Sequence, residues 1–207
     1  MANGTIAVSQ LEILTQSGTG IITVVPPATN TNRTLTLPDV TGTVLTNATT
    51  TGFPAGSVLQ VVSVAKTNVF TTTSASLVDI TGLSVSITPT SATSKILVLC
   101  SLSLNVTNGN YMAQAALFRG ATRISVGDAA GSRTQSSAYA TVNGDRGRSP
   151  FSVTFLDSPA TTSSTTYKFQ GLVESGGTLY INQNASDIDA ANNGRTASTI
   201  TLMEIAA

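Results

Sequence analysis

Alternation of apolar and polar side chains dominates the chain after about residue 56, with no convincing helical period. In residues 96–106 the even positions are all apolar, and the odd positions turn polar from Ser101 onward. Because successive side chains of a strand point to opposite faces, this pattern predicts a long strand, buried first on both faces and then on one. Asn108-Gly109 suits a type I′ turn, and a strand pattern resumes over residues 111–118. We therefore predict a β-hairpin here.

Further strand patterns are separated by Gly, Pro, Asn and Asp turn signals. They cover residues 58–65, 76–80, 83–88, 123–126, 136–142, 151–156, 165–173, 178–182 and 198–205. About ten strands at this spacing predict an all-β fold, a β-sandwich of jelly-roll type. We expect its core to contain Val61, Leu83, Val85, Ile87, Phe118, Phe151, Val153, Phe155, Tyr167, Phe169, Ile181, Ile200 and Leu202.

The first 55 residues have a different pattern. Their apolar clusters are short, at 6–14, 21–25 and 35–44, and Pro26-Pro27 interrupts them. A segment of this size buries too little apolar surface to be stable alone. Residues 47–56 resemble a linker in composition. We predict a small β-rich attachment and oligomerisation region at residues 1–55 and a C-terminal β-sandwich domain at residues 56–207.

The charge content of the chain is unusually low. Charged residues form 10% of the sequence and cancel to a net charge of zero, whereas soluble domains average about 25%. The mean hydropathy is +0.22. Such a chain lacks the electrostatic repulsion that keeps copies apart, and as a monomer it would aggregate. We therefore expect a homotrimer in which apolar strand faces are covered by neighbouring copies.

Several classes of partner and location are disfavoured. The densest basic stretch is Arg146 with Arg148, next to Asp145, which argues against nucleic acid. The apolar runs fall short of the roughly 20 residues of a membrane span. The N-terminus has no signal-peptide pattern. The single cysteine, Cys100, cannot form an internal disulfide and fits synthesis in a reducing cytoplasm.

The chain is poor in catalytic chemistry. It contains no histidine, which argues against Ser-His-Asp triads, Cys-His systems and the usual zinc sites. Cys100 lies within a strand pattern without a basic neighbour, as a core thiol does. Asp187-Ile188-Asp189 could bind a hard cation, but a solvated loop whose Asp and Asn residues cap turns is the favoured interpretation. We predict no catalytic residues, no metal site and no cofactor.

Aromatic residues bear on carbohydrate binding, because sugar rings stack on them. Trp is absent, and most of the four tyrosines lie inside strand patterns that predict packing roles. Tyr139 differs, because it follows the polar stretch Ser136-Ser137. Tyr139 is the candidate glycan contact.

Three stretches resemble virion surface proteins of tailed phages. Residues 34–46, TLTLPDVTGTVLT, resemble an element of fibres and other surface proteins of these particles. Residues 56–62, 78–89 and 94–98 are similar, in that order, to a module of the same proteins. The ending, with GGTLYIN at 176–182 and STITLMEI at 198–205, is similar as well. The resemblance runs from about residue 34 to the C-terminus.

This resemblance implies a trimeric β-rich distal domain carried on a virion-attached N-terminal region. Because the chain has no long stalk and no chaperone-like extension, we expect a capsid decoration (cement) knob or short head fibre. It would be assembled in the host cytoplasm and attached through residues 1–55 to capsid or tail proteins. The alternative is a receptor-binding tail-fibre tip that recognises a host surface glycan. A polysaccharide-degrading enzyme is disfavoured by the missing histidine and the few carboxylates.

Overall fold

The computed structural model describes residues 11–14, 21–24, 53–107, 110–141, 147 and 149–207. The chain divides into two compact units, Met1–Val44 and Leu45–Ala207. In the first unit, strand β1 (Leu11–Leu14) pairs antiparallel with β2 (Ile21–Val24). The predicted pattern at 35–44 and the Asn108-Gly109 turn lie outside the described residues. The predicted boundary between residues 55 and 56 stays a prediction.

All the described elements of the second unit are strands. In chain order they are β3 (Val58–Lys66), β4 (Phe70–Thr72), β5 (Val78–Ile87), β6 (Lys95–Val106), β7 (Ala113–Arg119), β8 (Thr122–Ile124), β9 (Ala138–Ala140), β10 (Ser149–Asp157), β11 (Thr165–Val173), β12 (Leu179–Ile181) and β13 (Ser198–Ile205).

Two antiparallel sheets form a sandwich. The first sheet has the order β3, β13, β6, β10, since Leu99 of β6 pairs with Thr201 on one side and Thr154 on the other. Strands β12 and β4 extend it beside the far end of β6. The second sheet has the order β5, β11, β7, and β8 and β9 both lie along the outer edge of β7. This is the strand order of a jelly roll, so the predicted all-β, jelly-roll-like sandwich is confirmed.

The predicted hairpin of β6 with β7 is wrong, because the two strands lie in opposite sheets. Both edges of β6 are occupied, by β10 on one side and by β13 and β12 on the other. Strand β7 pairs instead with β11, β8 and β9. Each of the two strands has one strongly apolar face, and these faces pack across the core, where they bury more apolar surface than an edge pairing would.

The core lies between the sheets and contains most of the residues predicted for it. Tyr167 and Phe169 are its largest fully buried side chains. For two of the predicted core residues, the side chain points to the outer face of its sheet and away from the core. Val61 is 53% exposed because it pairs with Met203 on the outer face of the first sheet. Phe118 is buried, but it lies on the outer face of the second sheet, since its neighbour Leu117 belongs to the core.

A polar contact joins the two sheets at their margin. Asp157 ends β10 in the first sheet and is 5% exposed. The Arg119 guanidinium of β7 donates to both carboxylate oxygens, at 2.8 and 2.9 Å. The Tyr167 hydroxyl of β11 donates to Oδ2 at 2.6 Å. Burial, and then the bond to Asp157, raise the pKa of Tyr167. The buried carboxylate thus fixes the position of the edge strand against the second sheet.

A second buried carboxylate, Glu204, lies near the C-terminal end of β13. Its Oε1 accepts from the backbone N–H and the hydroxyl of Thr90, both at 2.7 Å, and its Oε2 accepts from Gln60 Nε2 at 2.6 Å. Burial acts to raise the pKa of Glu204, but the donors of Gln60 and Thr90 outweigh burial and hold the pKa below its ordinary value. The residue is therefore ionised at neutral pH and ties the segment after β5 to β13.

Candidate functional site

The outer face of the first sheet carries a continuous row of apolar side chains across four strands. Val61 pairs with Met203, Met203 pairs with Leu97, and Leu97 pairs with Leu156. The two outermost residues, Val61 and Leu156, are 53% and 54% exposed. Directly opposed residues of neighbouring strands point to the same side of a sheet, so these four side chains form one surface strip. We call them the apolar ribbon.

The surroundings of the apolar ribbon contain one charged residue on the described strands. The next row on this face contains Ser63, Thr201, Leu99 and Thr154. The charged residue on the described strands of this face is Lys95, which donates to the Ser158 hydroxyl at 2.8 Å. An exposed apolar strip with a single nearby charge, bordered by hydroxyl groups, is typical of a surface that another protein covers.

The outer face of the second sheet is polar by contrast. Asp79 of β5 forms an ion pair with Lys168 at 2.8 Å and accepts from Gln170 Nε2 at 2.7 Å. The hydrogen bonds from Lys168 and Gln170 hold the pKa of Asp79 below its usual value. These residues border an open cleft of about 700 Å³ whose floor includes Phe118. The charges of this part of the face neutralise one another.

Tyr139 lies in a neighbouring cleft on the same face. Strand β9 pairs with β7 so that Tyr139 is directly opposite Gln114. The cleft encloses about 330 Å³ and is also lined by Met112, Arg133 and Ser136. Tyr139 is 45% exposed, and its hydroxyl donates to the Met112 sulfur at 2.7 Å. The side-chain oxygen of Gln114, Oε1, is buried and has no hydrogen-bond partner in the part of the chain that the structure describes.

The segment between β8 and β9, residues 125–137, forms the walls of this region. Ser137 anchors it, because its N–H donates to Ala115 O at 2.9 Å and its hydroxyl accepts from Leu117 N at 3.0 Å. A second cleft, of about 550 Å³, lies on the other side of the segment and is lined by Arg123, Arg133 and Leu172, among others. Arg133 lines both clefts. We call the two clefts together the Tyr139 groove.

Two guanidinium groups in the Tyr139 groove are free of carboxylates. Arg123 donates to Gln135 O at 3.2 Å, and Arg133 donates to Ala130 O at 3.3 Å. Neither forms an ion pair with a carboxylate of the part of the chain that is described. In this groove the Tyr139 ring can stack on a flat apolar surface, the Gln114 oxygen can accept a hydrogen bond from a hydroxyl, and the two guanidinium groups can donate hydrogen bonds to an anion. Its chemistry is therefore that of binding.

The other residues considered from the sequence lie apart from this groove. Cys100 is 6% exposed, and burial raises the pKa of its thiol to about 12, so the thiol stays protonated at neutral pH. Asp187 is exposed in the loop after β12, where it forms an ion pair with Arg195 at 2.7 Å. Within the described ranges, no three His, Cys, Asp or Glu side chains are grouped as metal ligands would be. None of the residues placed by the structure forms a helix that could span a membrane.

Sequence reasoning found Tyr139 but missed Gln114, Arg123 and Arg133. Gln114 precedes Tyr139 by 25 positions, and only the pairing of β7 with β9 brings the two together. A signal for the arginines was present, because Arg123 and Arg133 lie in a stretch otherwise rich in Gly, Ala, Ser and Thr. Charged side chains are rare in this chain, so two nearby cations that form no ion pair with a described carboxylate are informative.

Comparisons with known proteins concern the fold. No protein-family model matches the chain, and no curated protein matches it. The chain is similar to a structure of the infectious bursal disease virus Gx strain, at 13% identity and a TM-score of 0.35, covering 81% of this chain and 42% of that one. It is likewise similar to the VP2 subviral particle of infectious bursal disease virus, at 13% identity and a TM-score of 0.34, with the same coverage. The chain thus spans less than half the length of either virus protein.

Proposed function

We propose that this chain is a non-enzymatic structural protein on the surface of a tailed-phage particle, a homotrimeric capsid decoration (cement) knob or short head fibre. The observation that carries the proposal is the apolar ribbon on the outer face of the first sheet. The resemblance of residues 34–46 to phage surface proteins supports the location. Residues 1–55 attach the protein to the particle, and the sandwich projects from it.

The apolar ribbon is best explained by contact with further copies of the same chain. A net charge of zero and an almost uncharged face leave nothing to repel an identical neighbour. Burying a fully exposed aliphatic side chain stabilises by about 1.5–3 kcal/mol, so Val61 and Leu156, each half exposed, contribute about 1 kcal/mol apiece when covered. An obligate interface buries more than about 2,000 Å², and we expect the ribbon to form its centre.

Charge placed on the apolar ribbon tests this assembly. The double variant Val61→Asp with Leu156→Asp should be monomeric by native mass spectrometry, whereas the wild type is trimeric. Ser84→Asp, on the exposed outer face of β5 in the second sheet, is the matched control and should remain trimeric. Each variant should keep a cooperative thermal transition, because the changed side chains point away from the core. A wild type that is monomeric at micromolar concentration would contradict the proposal.

The absence of enzymatic activity has its own test. The acidic pair Asp187 and Asp189 lies in an exposed loop, and Asp187 is neutralised by Arg195; exposed carboxylates make poor general acids. Purified protein should leave capsular and lipopolysaccharide glycans intact, and Asp187→Asn with Asp189→Asn should assemble into particles as the wild type does. Release of oligosaccharides that this double substitution abolishes would show an enzyme.

A second candidate function is that of a receptor-binding tail-fibre tip that recognises a host surface glycan. The Tyr139 groove favours it, because a decoration knob needs no cleft with an exposed aromatic ring and an unpaired buried acceptor. Immunogold labelling of intact particles separates the two candidates. Label over the whole head indicates capsid decoration, and label confined to the tail indicates a fibre tip.

A further inference from the structure

We propose that the Tyr139 groove binds an acidic saccharide, a glycan that carries carboxylate, sulfate or phosphate groups. This inference rests on the receptor-contact candidate described above and names its ligand class. It follows from three features of two clefts that share Arg133: an exposed aromatic ring, a buried acceptor without a partner among the described residues, and two guanidinium groups that form no ion pair with a described carboxylate.

The first feature is a platform for a sugar ring. Tyr139 is 45% exposed and stands on β9. Its backbone is fixed by pairing with β7, and its hydroxyl is held by the Met112 sulfur. The ring therefore has a defined orientation before any ligand arrives. A pyranose presents an apolar C–H face of similar size, and a rigid aromatic binds such a face with little loss of side-chain entropy.

The second feature is the carboxamide of Gln114, which is adjacent to the tyrosine in the same cleft. Its Oε1 is buried and accepts no hydrogen bond from the described residues. An unsatisfied buried acceptor destabilises the folded protein. The half-buried Gln114 side chain borders the cleft, and turning its carboxamide toward the cleft lets a ligand hydroxyl donate to Oε1. A sugar stacked on Tyr139 carries such hydroxyl groups along its edge. The acceptor therefore favours a polyhydroxyl ligand over a purely apolar one.

The third feature selects for negative charge. Arg123 and Arg133 each use Nη1 on a backbone carbonyl, and a guanidinium has five N–H donors, so several remain available. Asp128 lies in the same segment as Arg133 but forms no ion pair with either guanidinium among the described contacts, and Asp79 on this face is already bound to Lys168 and Gln170. Guanidinium groups bind carboxylate, sulfate and phosphate through charge-assisted hydrogen bonds. A neutral sugar would leave both cations without a counter-charge.

The lining of the two clefts orders the features. Arg133 lines both clefts, whereas Tyr139 lines only the smaller cleft and Arg123 only the larger. A saccharide stacked on Tyr139 therefore meets Arg133 first, and its acidic group lies at or beyond Arg133. Two cations are too few to follow a nucleic-acid backbone, which needs an extended basic track.

Isothermal titration calorimetry of the full chain with three probes of equal length tests the inference. The probes are an oligogalacturonate carrying carboxylates, a sulfated oligosaccharide, and a neutral malto-oligosaccharide. We expect at least one acidic probe to bind and the neutral one not to bind, with affinity falling as salt rises. The two acidic probes distinguish a carboxylate from a sulfate preference. Arg123→Gln, Arg133→Gln and Tyr139→Ala should each weaken binding about tenfold, the effect of losing one charge-assisted or stacking contact.

Control measurements distinguish a loss of saccharide binding from a loss of folding or of assembly. Arg195→Gln changes a guanidinium outside the groove and should bind the acidic probe as the wild type does. Native mass spectrometry and thermal melts of the same samples report assembly and folding, so loss of the proposed trimer is read independently of binding. Equal affinity for the neutral probe, or unchanged binding in all three groove variants, would overturn the inference. So would a folded wild type that binds none of the probes, or one that binds single-stranded DNA as tightly as the acidic sugar.

Discussion

The buried contact between Asp157 and Tyr167 offers the sharpest test of what holds the two sheets together. Tyr167→Phe keeps the ring that fills the core and removes only the hydroxyl that donates to Asp157 Oδ2 at 2.6 Å. Asp157 is 5% exposed, so water cannot readily replace the lost donor. Arg119 still donates to both carboxylate oxygens, so the ion pair is kept in the variant.

The expected loss follows from the charge on the acceptor. A hydrogen bond to a charged group contributes about 1.5–3 kcal/mol, and the remaining Arg119 contact places the loss near the middle, at about 2 kcal/mol. For a domain of this size, 1 kcal/mol changes Tm by about 2–4 °C, so Tyr167→Phe should lower Tm by about 4–8 °C.

The pH dependence should change as well. The pKa of Tyr167 is raised in the folded protein, by burial first and by Asp157 next. Because the pKa of Tyr167 is higher in the folded than in the unfolded protein, its contribution to the free energy of unfolding is fully present below the unfolded pKa. This contribution is lost as pH rises toward the folded pKa, so wild-type stability should fall above about pH 10. Tyr167→Phe removes this contribution to the alkaline slope.

Chemical denaturation and thermal melts of the full chain, followed by far-UV circular dichroism, measure both effects. Tyr180→Phe is the matched control, because its half-buried hydroxyl is 3.4 Å from the Thr107 hydroxyl and touches no carboxylate in the described contacts. It should change stability by less than about 0.5 kcal/mol. If the two variants are equally stable at pH 7, the hydrogen bond from Tyr167 to Asp157 does not stabilise the packing of the two sheets.

Two further predictions concern packing and acid stability. A Cβ at Gly171 would lie 2.5 Å from Leu179 Cδ2 in the core, so Gly171→Ala should destabilise the protein by about 1–3 kcal/mol. The control is Gly127→Ala, which has no described atom within 4 Å of the new Cβ and should leave Tm unchanged in the same thermal melts. Equal losses of stability in the two variants would contradict the packing argument. The pKa of Glu204 is lowered in the fold from its ordinary value of 4.5, so its stabilisation is present above that value and is lost as pH falls through the folded pKa. Glu204→Gln should flatten the acid slope of the unfolding free energy, and an unchanged slope would rule this origin out.

Strands with unbroken alternation were predictable to the residue. The predicted ranges 165–173 and 198–205 match β11 and β13 at both ends. In β13, Ser198, Ile200, Leu202 and Glu204 point inward, and the residues between them are half-buried. A period of two over eight residues has no helical alternative, so local sequence determines such a strand.

The choice of sheet and face was less predictable, because it depends on distant partners. A strong strand followed by Asn-Gly favours a hairpin locally, but β6 already has neighbours on both edges that come from β10, β12 and β13. Val61 belongs to a nearly continuous apolar run, in which alternation cannot say which side faces the core. Its direction is set by the register with β13.

The candidate site was predictable only in part, for the same reason. Tyr139 could be singled out because polar residues precede it. Its partners could not, since Gln114 reaches it through the pairing of β7 with β9, and Arg123 and Arg133 meet through the long segment between β8 and β9. Binding surfaces formed by loops on a rigid scaffold depend on topology, which a period in the sequence does not encode.

The single thiol of Cys100 gives this protein an internal probe of its own opening. It lies in the core on β6, between Val153 and Ile200 on the neighbouring strands, and its raised pKa leaves almost no thiolate at neutral pH. A thiol-modifying reagent can therefore react only when the sandwich opens around the central strand. With no second cysteine in the chain, every modification event reports the same opening. The rate of that reaction would rank wild type and variants by how readily the sandwich opens, without heat or denaturant.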